Sequence, residues 1–114
     1  YEKLEKNKDV YHNYGHGGAG ASLAPGCVNQ SVSLFLKAQP HYSEPVAILG
    51  AGYMGLLTAE FLSSKGFSVT VYADLFPQQG FVFEEGKPCI TSQVAGGYWM
   101  PFGVDIVNPL QHEE

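Results

Sequence analysis

Three glycines fall within the six residues Gly50-Ala51-Gly52-Tyr53-Met54-Gly55, directly after the apolar run Val46-Ala47-Ile48-Leu49 and directly before a stretch with helical spacing. The chemistry available at such a place belongs to the main chain. A glycine turn lets backbone N–H groups close on a phosphate, and the positive end of the following helix adds about 0.3–2 kcal/mol per charge. Gly50 permits the sharp strand-to-helix turn, Gly52 has no Cβ to keep a pyrophosphate away, and Gly55 lets the helix lie close on the sheet. A second glycine-rich loop, His16-Gly17-Gly18-Ala19-Gly20, also sits between a strand-like and a helix-like run.

These loops need strands before them and helices after them. Residues 46–49 have the continuous apolar character of a buried parallel strand, and residues 56–62 continue with helical spacing. Lys65-Gly66 closes that helix, residues 67–72 form the next strand, and Asp74 follows, one residue beyond the usual position for an acid that binds a ribose hydroxyl. Strand, loop, helix, strand and acid in this order match the dinucleotide-binding fingerprint. A βαβ unit whose glycines serve packing alone carries the same letters.

Upstream, residues 1–8 are polar and are expected as a frayed end or surface turn. Residues 9–14 are β-branched and aromatic and predict a strand leading into the first glycine loop. A helix is predicted over residues 27–37 after Pro25-Gly26, residues 39–45 are a connector, and residues 76–89 are loop-like. The expected fold is therefore α/β: a Rossmann-like parallel sheet with a βαβαβ core and both loops at its C-terminal edge.

Composition narrows the function classes. A chain of 114 residues buries about 65 % of its unfolded surface, enough for a single domain over residues 1–114. The net charge of −5 leaves no basic stripe to neutralise a nucleic-acid backbone, and no segment is long and apolar enough to span a membrane. Cys27 and Cys89 have neither zinc nor CxxC spacing, so no metal is expected and reduced thiols in an intracellular, cytoplasmic setting are. The first residue is Tyr1 and not Met, so a natural start further upstream is an expectation, as is the lack of a secretory signal. No nucleophile elbow is present, so a hydrolase is not indicated. Glu84-Glu85 is a solvated loop pair, and the rings of His12 and His16 are expected to bond neighbouring backbone, with direct contact to a bound cofactor as the alternative.

Three stretches together carry a family resemblance. VYHNYGHGGAGASLAPGC (10–27) resembles the C-terminal flavin-binding signature of D-amino-acid and D-aspartate oxidases. VAILGAGYMGLLTAEFLSSKGFSVTVYADLFP (46–77) resembles their N-terminal FAD-binding unit, and TSQVAGGYWMPF (91–102) the flavin-contacting segment that follows it. The resemblance implies FAD as cofactor, with residues 9–38 as the C-terminal-like flavin segment. In the family the VAILGAG-like unit comes first and the HNYGHGG-like segment nearly last, with the substrate domain between them. Here the order is reversed and that domain has no counterpart, as in a permuted chain, a piece from a fusion junction or an engineered flavin-binding core.

Carried over residue by residue, the resemblance places Gly50, Ala51, Gly52, Tyr53 and Met54 along the pyrophosphate and Asp74 on the adenosine ribose. Thr91 and Ser92 match the polar pair near the phosphates, and Gly96, Gly97 and Tyr98 the backbone beside the isoalloxazine ring. Gly17, Gly18, Ala19, Gly20, Ala21 and Ser22 fall at the pyrimidine end, where N–H groups stabilise negative charge on the reduced ring. Ala19 stands where the family often has an aromatic residue, and the chain carries an insertion between Pro77 and Thr91. Tyr98, Trp99 and Phe102 are read as core packing ahead of a substrate pocket. The family grips its substrate carboxylate with an arginine, and this chain has none. No catalytic residue is therefore assigned. The resemblance implies oxidative deamination of a D-amino acid or related amine only in a complete protein, with self-association or a docked substrate domain as the partner of this part. A catalytically silent nucleotide-binding module and an NAD-binding reductase domain are the alternatives.

Overall fold

The computed structural model describes residues 2–4, 8–38 and 41–97. Seven elements follow one another: strands β1 (Glu2–Leu4) and β2 (Lys8–Val10), helix α1 (Gly20–Lys37), strand β3 (Val46–Leu49), helix α2 (Tyr53–Ser64), strand β4 (Val69–Tyr72) and the short helix α3 (Thr91–Val94). β3 and β4 pair in parallel through Val46↔Val69, Ala47↔Thr70, Ile48↔Val71 and Leu49↔Tyr72. Backbone bonds from Val46 N to Ser68 O (2.9 Å) and from Gly50 N to Tyr72 O (2.7 Å) extend the ladder at both ends. The described residues thus form a small α/β unit with one βαβ crossover.

Period-two alternation decides which sheet face is covered. Val46, Ile48, Val69 and Val71 are half-buried, whereas Ala47, Leu49, Thr70 and Tyr72 are exposed. The covered face meets a core of Val28 and Val32 from α1 and Leu62 and Phe67 from the end of α2 and the turn after it, with Phe35, Met54 and Leu57 packed around them. Aromatic edges fasten this cluster: Phe35 lies 5.3 Å from Phe67 and 5.5 Å from Tyr11, both edge-on, and Tyr42 lies 4.6 Å from Phe67.

α2 ends where Lys65-Gly66 predicts. Gly66 takes φ +93°, its N–H reaches Ser63 O (2.9 Å), and Phe67 N–H reaches Leu62 O (3.1 Å). This is a Schellman cap, with Phe67 and Leu62 as its hydrophobic contact. The cap explains why β4 begins at Val69 and not at Phe67, which is spent on the cap and the core.

The expectations upstream of β3 are corrected. The parallel strand over residues 9–14 does not form; β2 stops at Val10 and pairs antiparallel with β1, Glu2 opposite Val10 and Leu4 opposite Lys8, in a separate two-stranded sheet. A short hairpin closes at small entropic cost, whereas joining β3 requires a long crossover, and Tyr11 is instead turned onto Phe35 of α1. Among the described residues, only β3–α2–β4 of the expected βαβαβ core is seen, and residues 2–4 are strand where a frayed end is expected. In addition, α1 begins at Gly20 and runs through Pro25. Ala24, Val28 and Val32 form one buried stripe at helical spacing, while Pro25 and Gly26 face solvent. Packing of that stripe outweighs the hydrogen bond that Pro25 removes.

Candidate functional site

At the C-terminal end of β3 the chain turns through Gly50, whose φ of +109° is strained for any residue with a side chain. α2 follows at once, with Gly52 as its N-cap. Gly55 has its own geometric reason: a Cβ there would stand 1.9 Å from Gly50 O, so β3 and α2 approach this closely only over a glycine. Gly52 differs from both. Its φ of −86° and ψ of −170° suit any residue, and a Cβ would meet only Ser92 Oγ, at 3.1 Å. What Gly52 keeps open is the space in front of the helix.

That space is a cavity of about 510 Å³, within the range of small-molecule sites. Three segments distant in sequence line it: His16, Gly17, Gly18, Gly20 and Ala21 from the first loop, residues from Leu49 to Gly55 in the second, and Thr91, Ser92, Ala95, Gly96 and Gly97 around α3. A second cavity of about 680 Å³ adjoins it across Leu49 and Gly50 and is lined by Ala51, Tyr72 and Asp74, among others. The two glycine loops thus share one cleft although only one of them follows a strand of the parallel sheet.

Positive potential in the cleft comes from helix ends. Among the described residues no lysine lines either cavity, and the chain has no arginine. The first turns of α1 and α2 both open on the larger group of residues, each with N–H groups that lack an intrahelical acceptor. One of these, Tyr53 N–H, donates to Ser92 Oγ at 3.0 Å. A hydroxyl from the third segment therefore stands where an anion oxygen is favoured.

The first loop is anchored by side chains. Gly15, Gly17 and Gly18 all have positive φ, and Ala19 N–H returns to His16 O at 2.9 Å before α1 starts. Asn13 joins the loop to α2: its Oδ1 lies 3.1 Å from His16 Nε2 and its Nδ2 donates to Met54 Sδ at 3.9 Å.

Of the residues singled out in the sequence, Gly17, Gly18, Gly20, Ala21, Gly50 and Gly52 line the first cavity. So do Tyr53, Met54, Thr91, Ser92, Gly96 and Gly97. Ala51 and Asp74 line the second cavity. Ala19 and Ser22 line neither; Ala19 is the buried N-cap of α1 and Ser22 sits in its first turn. Tyr98, Trp99 and Phe102 lie outside the described residues. Leu49, Gly55 and Ala95 line the cavity without being expected there, and His16, expected to bond neighbouring backbone ahead of a cofactor, lines it too with its Nε2 on the side chain of Asn13. The spacing of Asn13 and His16 across one turn is the signal that finds the pair, while Leu49 reads as core in any apolar strand and is in fact 85 % exposed.

Among the described residues no cluster of His, Cys, Asp or Glu could hold a metal ion, and no helix is long and apolar enough to cross a membrane. Cys27 and Cys89 are free and half-buried, and Glu84 pairs with Lys87 on the surface. Comparison with known proteins gives no match among family models, curated proteins or solved structures.

Proposed function

We propose that this chain is the FAD-holding part of a flavoprotein of the D-amino-acid oxidase type, and that β3–α2–β4 is the nucleotide-binding corner of a Rossmann-like domain. One observation carries the proposal: three segments separated by tens of residues, each resembling a flavin-binding stretch of that family, line one cavity. The residues suit the cofactor. Helix N-termini and glycine amides offer donors to a pyrophosphate, Gly52 leaves room for it, and Asp74 lies in the adjoining cavity, on the other side of Gly50, where a ribose hydroxyl needs an acceptor. Thr91 and Ser92 take the phosphate flank, and Gly17 to Ala21 with Gly96 and Gly97 take the flavin end.

Bound FAD would supply a hydride acceptor that dioxygen reoxidises with release of hydrogen peroxide, so that a complete protein converts a D-amino acid or related amine to the imino acid. This chain binds and orients the cofactor. A carboxylate clamp must come from another domain or chain, since no arginine is present.

Among the described residues no lysine or arginine lines either cavity, which favours a second reading, a nucleotide-binding module without catalysis. An NAD-binding reductase domain is the third. The visible absorption of the purified protein, before and after reconstitution with FAD or NAD, separates them. The flavin reading expects a retained or restorable flavin band and no saturable NAD site; NAD binding without flavin binding overturns it.

A further inference from the structure

Met54 is a half-buried apolar residue packed against the core, yet its sulfur meets a polar group. Asn13 Nδ2 donates to Met54 Sδ at 3.9 Å, and Asn13 Oδ1 lies 3.1 Å from His16 Nε2. A thioether can accept a hydrogen bond and cannot donate one. The sulfur therefore fixes the amide with Nδ2 towards Met54, because the flipped amide would set an oxygen lone pair against sulfur. With Oδ1 turned to the imidazole, Nε2 must carry a proton, since two acceptors cannot share the contact. The remaining nitrogen, Nδ1, keeps its lone pair in the neutral ring and has no partner among the described residues. His16 is one of the residues that line the cavity.

We infer that Met54, acting through Asn13, sets the tautomer of His16, so that the cleft presents a side-chain acceptor, Nδ1, beside the donors of two helix ends. Asn13 and Met54 are positioning residues. The ligand this arrangement selects joins an anionic group, held at the N-terminus of α2, to a ring N–H that can donate to His16. That last step rests on the flavin reading, in which the imide N3–H of the isoalloxazine is the donor; the tautomer itself does not.

Nitrogen NMR of the ligand-free, isotope-labelled chain reads the ring directly at a pH where His16 is neutral. The expected result is a single Nε2–H tautomer with an exchange-protected proton. Met54→Leu, which conserves volume and removes only the acceptor, should admit the Nδ1–H form, and Asn13→Leu should abolish the protection, whereas Asn13→Asp should keep the Nε2–H form. An Nδ1–H ring in the unmodified chain, or identical rings in all four proteins, overturns the relay. FAD and N3-methyl-FAD then probe the acceptor: the methylated flavin should bind about five- to tenfold more weakly, as expected for one lost hydrogen bond. His16→Leu should remove that difference and Met54→Leu should reduce it. Equal affinity of both flavins for the unmodified chain overturns the ligand assignment. A chain that shows the Nε2–H ring and binds neither flavin contradicts the flavin reading and supports the relay alone.

Discussion

At the residue scale, the glycines of one motif do different things, and substitutions separate them. Gly55→Ala places a methyl group against Gly50 O and should lower stability by about 1–3 kcal/mol or more, the range of overpacked sites, as read by urea denaturation. Gly52→Val keeps an accessible backbone conformation and should cost far less stability while abolishing FAD retention. Asp74→Ala should weaken FAD binding by about 1.5–3 kcal/mol, the value for a hydrogen bond to a charged group. Ser92→Ala removes the oxygen that accepts from Tyr53 N–H and should cost about 0.5–2 kcal/mol in the ligand-free chain, as the loss of a cap does. Tyr11 adds a pH dependence. Burial pushes its phenol above the ordinary value, with the Asp9 carboxylate adding to the effect, so the folded chain holds the proton more tightly than the unfolded one. Its contribution is fully present below about pH 10 and is lost as the pH rises through the folded value. Thermal melts of the parent and Tyr11→Phe at rising alkaline pH should show the shallower decline in the variant.

At the element scale, what was legible in the sequence is what depends on near neighbours. The run at 46–49, the glycine turn and the close of α2 at Gly66 each follow from local sterics and capping, and the structure places them as expected. The strand over 9–14 was misplaced because its letters suit any extended backbone, and a hairpin partner lay closer in sequence than the parallel sheet. The start of α1 was misplaced because Pro25-Gly26 reads as a boundary, while the stripe Ala24, Val28, Val32 that carries the helix past it shows only when α2 is packed alongside. The convergence of the loops on one cleft came from the family resemblance, not from periodicity. If tertiary packing holds α1 together across Pro25, replacing that exposed residue should raise stability. Pro25→Ala restores a helical N–H and is expected to add about 1–3 kcal/mol in a denaturant titration. A loss of stability would show that Pro25 is needed for the bend or packing of the first turn.

At the scale of the whole molecule, no described residue covers one face of the parallel sheet. Parallel sheets are ordinarily sheltered on both faces, yet here Leu49 is 85 % and Tyr72 57 % exposed. The chain should therefore self-associate with concentration, or dock a substrate domain, and Leu49→Lys with Tyr72→Lys should shift sedimentation towards monomer. The lack of arginine bears on activity in the same way: substrate positioning contributes roughly 7–11 kcal/mol to such reactions, so even the FAD-saturated chain should release no more peroxide from D-amino acids than free flavin does. The central claim is that the cleft at Gly50 and Gly52 holds FAD, and titration of FAD into the unmodified chain and Gly52→Val tests it most directly. The account predicts saturable binding at one FAD per chain in the first and none in the second, with matching far-ultraviolet circular dichroism. Equal binding by the two proteins, or no saturable binding by the folded unmodified chain, would contradict it.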